Sequence, residues 1–456
     1  MLPDDVLLEI FDFNIKENRY ISKNIEAWQP LVHVCRRWRG VIFGSPRRLN
    51  LQLRCTPRTS RDMLDVWPAL PLAVTSYFPI PGTVKGTDNV AAVLEHSDRV
   101  CRIDLHFDFI LQAEKVWAAM QEPFPELENL KLSRSDAEQV IPGSFLGGSA
   151  PRLQYIELLG TPFPGLPKLL LSTPRLVTLL YCGIPHSGYV SPEALVTGLS
   201  RAPSLDMLYL GFRSLQSRPG PESRRPLPPT RTVLPALMSF NFSGAIEYLE
   251  DLVARIDAPR LDHFLIYLTN QFNLDIPQLV QFISRTPTLK AHDKAHVVIE
   301  DGAVKVVLLS TDHDLSMLCI ETSFRGSNSQ LSSLARATSS FPSLPMVESL
   351  YICGNKYLEL EDWEDEIQVE NTEWLDLLRP YTAVKNLYLS DVFGSEIVCA
   401  LQGSVGSTTT VVLPTLQTVF MEGLQPSGPV QEDIGQFVAA RQLSGYPCAI
   451  SLWDEG

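Results

Sequence analysis

The chain has 456 residues, 45% hydrophobic and 20% charged, with a net charge of −14 at pH 7. That is the make-up of a soluble, well-packed protein long enough for a sizeable core. The acidic balance argues against general nucleic-acid binding, which needs a basic surface, and no run reaches the roughly 18 apolar residues that span a bilayer.

The acidic start, Met1-Leu2-Pro3-Asp4-Asp5, lacks the basic end and apolar core of a secretory signal. Eight cysteines lie far apart with no CxxC pair, the usage of a reducing compartment, so cytoplasm or nucleus is expected. Charge is uneven. Residues 1–60 hold ten Lys and Arg against six Asp and Glu, about +4, which leaves about −18 for the rest.

A helix is predicted from Pro3, which suits a first turn because its missing N–H has no partner there. Asp4 and Asp5 complement the helix dipole, and Val6, Leu7, Ile10 and Phe11 come next at helical spacing. After a polar stretch, Asn14 to Asn24, a second stripe runs through Leu31, Val34, Cys35, Trp38 and Ile42, opened by Pro30 and closed by Gly44-Ser45-Pro46. Two or three such short helices need a partner or an adjoining domain. Spacing alone reads them as a helical cap on the rest of the chain.

The residues themselves say more. Leu2-Pro3-Asp4-Asp5-Val6-Leu7-Leu8-Glu9-Ile10-Phe11, then Leu31-Val32-His33-Val34-Cys35-Arg36-Arg37-Trp38-Arg39, then Ile42-Phe43-Gly44-Ser45-Pro46 closely resemble an F-box. With Trp28 before the core and Arg47-Arg48-Leu49 after it, the segment is similar to the F-box proteins of mushroom-forming fungi. The polar insertion after Phe13 is longer than in most of them. The resemblance implies docking on a Skp-type adaptor within a cullin-based SCF ubiquitin ligase, through Leu2, Pro3, Leu7, Ile10, Phe11, Val34, Cys35 and Trp38. Leu7, Ile10, Phe11, Val34 and Trp38 are expected to hold the helices together while Leu2 and Pro3 meet the adaptor. That adaptor family is acidic, so Arg36, Arg37, Arg39, Arg47 and Arg48 suit electrostatic steering. The plainer reading makes them solvated arginines.

Beyond residue 95 the pattern P-x-L-x-x-L-x-L recurs. Val100-Cys101-Arg102-Ile103-Asp104-Leu105 is its first trace, and fuller copies begin at Pro125, Pro151, Pro174, Pro203, Pro235 and Pro259. A partial copy lies at Leu289, and weaker copies start at Leu315, Val347, Val384 and Leu416. Anchors fall 23 to 37 residues apart. Helix-like stretches intervene: Ser191 to Leu195, Ala245 to Ala258, Ile276 to Ile283, Leu331 to Ala337 and Trp374 to Leu378. These copies resemble leucine-rich repeats, although most lack the Asn or Cys that normally comes after the strand. The expected fold class is therefore α/β, with a helical F-box (1–50), a connecting segment (51–95) and an irregular leucine-rich-repeat solenoid with a parallel sheet (96–456). A single parallel α/β sheet domain is the alternative. Arg213 to Thr232, rich in Pro, Arg and Ser, reads as a loop between repeats that could offer a polyproline segment. Glu359 to Glu366 reads as a solvated acidic loop.

In a strand the residues between the core leucines face the other side of the sheet. The residue between the last two apolar positions of each copy gives a column: Asp104, Lys131, Glu157, Leu180, Tyr209, Asn241, Leu265, Cys319, Tyr351, Tyr388 and Phe420. It grades from polar to aromatic, so Tyr209, Tyr351, Tyr388 and Phe420 are the candidate contacts for a protein substrate. The opposing view is that Tyr and Phe simply favour strands. No GxSxG, GxGxxG or P-loop occurs. His292 and His296 have helical ligand spacing but precede the strand-like Val297-Val298-Ile299, and Asp312-His313-Asp314 reads as a turn. No catalytic residue, metal or cofactor is expected. The sequence thus points to a non-catalytic substrate receptor of a ubiquitin ligase, without nucleic-acid or membrane partners. An adaptor-bound, non-degradative scaffold and, remotely, a divergent hydrolase are the alternatives.

Overall fold

The structure, a computed structural model, describes residues 2–18, 28–46, 48–49, 51–66, 68–76, 84–107, 113–134, 139–213, 230–269, 275–300, 303–310, 316–323, 330–354, 370–390, 392–404, 411–422 and 429–453. Most of the Pro/Arg/Ser-rich stretch, the acidic 359–366, Arg47, Asp312 to Asp314 and the end of the polar stretch after Phe13 lie outside the described residues. The chain divides into two compact units, Met1–Val190 and Ser191–Gly456.

The first unit opens with α1 (Asp4–Asn18), α2 (Gln29–Val32) and α3 (Arg36–Gly44). One face of α1 carries Leu7, Leu8, Phe11 and Ile15, all buried, as are Val32, Ile42 and Leu49. Phe11 meets Trp38 edge-on at 4.8 Å. Trp28, also buried, donates to the Gln52 carbonyl at 3.2 Å and so ties the helices to the chain entering β1 (Leu53–Cys55).

The ladder then runs wholly parallel in chain order: β1, β2 (Leu72–Thr75), β3 (Val100–Phe107), β4 (Asn129–Arg134), β5 (Tyr155–Leu159) and β6 (Thr178–Ile184). Strand pairing thus already occupies residues 51–95, where the sequence suggested only a connector. The cause is composition: Leu72-Ala73-Val74-Thr75 is a buried β-forming run without the Pro-x-Leu signature. Alternate residues form the core row, Ile103 and Leu105, Leu130 and Leu132, Ile156 and Leu158, all 0% exposed. Each such side chain contributes about 1.5–3 kcal/mol by leaving water.

The second unit repeats the scheme. Parallel strands β7 (Met207–Phe212), β9 (Ser239–Ser243), β11 (His263–Thr269) and β14 (Met317–Ser323) form one run. A second run pairs β12 (Lys294–Glu300), β15 (Ser349–Gly354), β16 (Asn386–Leu389), β17 (Thr418–Glu422) and β18 (Ala449–Trp453). Between the two runs sits β13 (Ala303–Leu309), antiparallel to both β12 and β14. This meander was not expected. Ala303-Val304-Lys305-Val306-Val307-Leu308-Leu309 has no Pro-x-Leu anchor, yet its alternating burial is plain.

Helices α8 (Pro192–Leu199), α9 (Ile246–Val253), α10 (Pro277–Arg285), α11 (Gln330–Thr338) and α12 (Asn371–Leu378) arise where the sequence placed them. Their numbers continue from four helices of the first unit: α4 (Arg61–Val66), α5 (Val84–Leu94), α6 (Ala113–Ala119) and α7 (Leu166–Leu170). The Ser191 side chain accepts from the Ala194 N–H at 3.2 Å, the expected N-cap. Neighbouring helices cap one another as well: the Glu250 carboxylate of α9 accepts the Gln278 and Leu279 N–H groups at 2.9 and 2.7 Å. The helix expected to reach Ala258 stops at Val253. Ile256–Asp257 is instead a short strand, β10, parallel to β8 (Thr232–Val233), and Arg285 clamps it through Asp257 at 2.5 Å. Last come α13 (Gly394–Ser404) and α14 (Pro429–Leu443).

Candidate functional site

Two kinds of surface stand out. The first is the outer side of α1. Val6, Ile10 and Phe13 lie on a different face from Leu7, Leu8, Phe11 and Ile15, roughly 150° around the helix. Ile10 is 47% and Phe13 69% exposed, and Leu2 and Pro3 are exposed beside them. Arg37 donates to the Asp4 carboxylate and the Leu2 carbonyl, which holds the start of α1 against the start of α3. Val34, 59% exposed, and Cys35 precede α3 at that same end.

The expectation that Ile10 and Val34 help hold the helices together is therefore corrected: both face solvent. Conversely, Leu7 and Phe11, assigned to adaptor contact, are buried in the helices' own core. Spacing suggested one apolar stripe where the helix has two faces, because residues one position apart diverge by a quarter turn or more. Val6 and Phe13 are exposed apolar residues of the same face that the candidate residues left out, and their spacing with Leu2 and Ile10 was the available signal. Trp38 is half-buried. Cys35 accepts the Trp38 N–H at 3.5 Å as the cap of α3. Arg36, Arg39 and Arg48 are exposed, and Arg48 pairs with Glu9.

The second surface is the strand column. In the first unit Asp104, Lys131, Glu157 and Leu180 are register partners, as expected. Lys131 binds Glu157 at 2.9 Å, Tyr155 donates to Glu157 at 2.7 Å, and Lys131 lies over the Tyr155 ring. Burial alone would raise the Glu157 carboxyl, but the bonds from Lys131 and Tyr155 outweigh it and hold the group below the usual carboxylate range.

The second unit has its own column: Tyr209, Asn241, Leu265, Cys319, Val307, His296, Tyr351, Tyr388, Phe420 and Ser451. Tyr351, Tyr388 and Phe420 stand side by side and half-buried. Their ring centroids are 4.2 and 4.5 Å apart and their planes tilt by only 8° and 7°. In-register parallel strands put equivalent side chains about 4.8 Å apart, close to ring-stacking distance. His296 extends the stack, 4.3 Å from Tyr351. Trp453 lies edge-on against Tyr388 and Tyr351 at 5.5 and 6.0 Å. Tyr209 shares the column but not the stack, since five strands separate it from Tyr351. Cys319, in the same column, is fully buried.

His296 and Trp453 were missed. The Leu289 copy carries extra residues before its strand, so counting from the anchor does not reach His296. Trp453 lies beyond the last recognised copy. Burial lowers the His296 pKa, helped by Lys294, and pushes Tyr351 up to about 12 with the adjoining Tyr388 phenol adding to it. At neutral pH both rings are uncharged, so this face offers stacked apolar rings with hydroxyl tips.

His292, by contrast, is buried on the approach to β12, and desolvation holds its pKa down to about 4. It shares no ligand geometry with His296, which is on the strand. Among the described residues no group of three or more His, Cys, Asp or Glu could hold a metal ion. All eight cysteines are free, and burial pushes the Cys55 and Cys101 thiols up to about 12 and Cys319 to about 11. No described helix is long and apolar enough to cross a membrane.

The fold is a mixed α/β repeat array with mostly parallel strand pairing. No protein-family model matches the chain, and no curated protein matches it. It is similar to the leucine-rich-repeat-containing protein LegL7 of Legionella pneumophila, at 15% identity and a TM-score of 0.28, over 72% of this chain and 94% of that one. It is also similar to an internalin of Listeria monocytogenes, at 11% identity and a TM-score of 0.25, over 83% and 95%. At such scores the likeness identifies neither a family nor an activity.

Proposed function

We propose that this chain is the substrate-binding subunit of an SCF-type ubiquitin ligase, with residues 1–50 acting as an F-box toward a Skp-type adaptor and the repeats holding a protein substrate. The observation that carries the reading is the doubly apolar α1. One face builds the core of the small helical module, while Leu2, Pro3, Val6, Ile10 and Phe13, with Val34 and Cys35, leave a second apolar face in water. A contiguous exposed apolar patch rimmed by charge is the mark of a protein-docking surface, and the motif supplies the kind of partner. The exposed Arg36 and Arg39 suit an acidic adaptor. On the repeats, the stack of Tyr351, Tyr388 and Phe420 with His296 and Trp453 offers preorganised aromatic anchors for a protein substrate, since side chains already stacked lose little freedom on binding.

The test is a pull-down of the organism's own Skp-type adaptor by the full chain and by an Ile10→Asp, Phe13→Asp double variant. Both residues are exposed, so melting should be unchanged while adaptor capture falls to background. Undiminished capture by the variant, or none by the wild type, would sink the reading. Cullin recovery and ubiquitin transfer in the same assay separate a ligase receptor from a non-degradative scaffold.

A further inference from the structure

Among the described residues the core row of the second unit stands open at β18. In β17 its members Val419 and Met421 are each 2% exposed. Their register partners in β18 are Ile450, half-buried, and Leu452, 67% exposed. Leu443, at the end of α14, is 90% exposed, and Tyr446 lies on the turn into β18. Among the described residues β18 pairs on one side only. The Ala449 N–H donates to Gln417 of the preceding layer at 2.7 Å, so residues 449, 451 and 453 point their backbone groups inward. By the alternation of a strand, Ile450 and Leu452 present theirs to the open edge.

We infer that this edge pairs with β18 of a second copy of the chain, antiparallel about a twofold axis at Ser451. The segment is self-complementary in that register. Ile450 faces Leu452 of the second copy on the core side, the bulky Trp453 faces the small Ala449, and Ser451 faces Ser451. Both outward pairs can exchange N–H···O=C bonds, which gives four interchain hydrogen bonds with the inward ladder untouched. The strand Ala449-Ile450-Ser451-Leu452-Trp453 has no charge and no proline, so it lacks the features that usually block edge pairing. A twofold, isologous contact also closes on itself and does not propagate into a fibre. So short a strand pair, with Leu443, Leu452 and Tyr446 beside it, falls below the ~1,600 Å² of a standard interface, so the dimer is concentration-dependent and weak.

Sedimentation and light scattering on the full chain test this. A monomer–dimer equilibrium is expected, strengthened by added salt because each copy carries a net charge of −14. Leu452→Pro removes only an outward N–H, which an edge strand tolerates. It should weaken dimerisation by on the order of tenfold or more at unchanged melting. Leu452→Lys, which keeps the backbone donor, should also give monomer. In Ser451→Cys the facing residues are a non-hydrogen-bonded pair with Cα atoms about 4.5 Å apart, within disulfide reach. Mild oxidation should therefore cross-link it beyond the wild-type background. A wild type that stays monomeric at every soluble concentration overturns the inference. So does a dimer indifferent to both Leu452 variants, or a monomer that instead takes up an added extended peptide at β18.

Discussion

The same strand position is built in two chemistries. In the first unit the face opposite the core carries Asp104, Lys131 and Glu157, of which Lys131 and Glu157 form an ion pair and Glu157 also accepts from a tyrosine hydroxyl. In the second it carries His296, Tyr351, Tyr388 and Phe420, tied by ring contact. Across these strands the backbone register is unbroken in both, with a buried row beneath. The repeat therefore fixes where a side chain stands and leaves open what it does. A half-exposed ion pair adds little stability because water competes for it. A stack of rings excludes water from its own faces and keeps its edges available, which makes the second column the better candidate for a docking surface.

Acid should separate the two regions most. His292 is neutral in the fold, with its pKa lowered by burial to about 4, against 6.5 for an ordinary histidine. A lowered histidine means the unfolded chain binds the proton more readily. Stability should therefore fall as pH drops through 6.5 toward about 4, by about 3 kcal/mol at most, and level off below. The lowered pKa of His296 adds to the loss in the same direction. The depressed Glu157 carboxyl acts at lower pH: its contribution is full above the ordinary carboxylate pKa, declines as pH falls below that, and is gone once pH is below its folded value. Urea unfolding followed by tryptophan fluorescence, for wild type and His292→Gln, reads this. A wild type as stable at pH 4.5 as at pH 7 would contradict it.

The aromatic stack comes next. Tyr388→Ala removes ring contacts with Tyr351 and Phe420 and the edge contact with Trp453. At about 0.5–1.5 kcal/mol for each of the three pairs, a loss of about 1.5–4.5 kcal/mol is expected. Tyr388→Phe should lose much less, because the rings remain. On the proposed function, Tyr388→Ala also weakens substrate capture at full adaptor binding, which co-precipitation of each partner measures separately.

The smallest effect belongs to the polar column. Lys131→Met should cost about 0–1 kcal/mol, and less in high salt, because both partners are about one-third exposed. A loss as large as that of Tyr388→Ala, insensitive to salt, would erase the contrast between the two regions.

Much of this was legible in the residues. The recurring leucine pattern located most strands beyond residue 95, and the residue between the last two apolar positions of each copy gave the column without Val307 and His296. The features that escaped had no local mark. β13 carries a plain alternating pattern, but nothing in it says that it runs antiparallel between β12 and β14. Ile256–Asp257 continues the apolar period of α9 and yet pairs as a strand, because β8 is there to receive it. On α1 the apolar residues were visible, but which of them face inward depends on where α3 packs.

Sequence by itself determined the strand positions, the buried row, the capped helices and the two-chemistry column, because each depends on the identity of residues a few positions apart and on the fixed periods of helix and strand. Tertiary structure alone decided that His296 and Trp453 join the stack, that Ile10 and Phe13 face water while Phe11 does not, and that the core row lies open at Leu452. Those outcomes depend on which distant segments lie against one another, and a residue's exposure is set by its neighbours in space as much as by its own hydrophobicity.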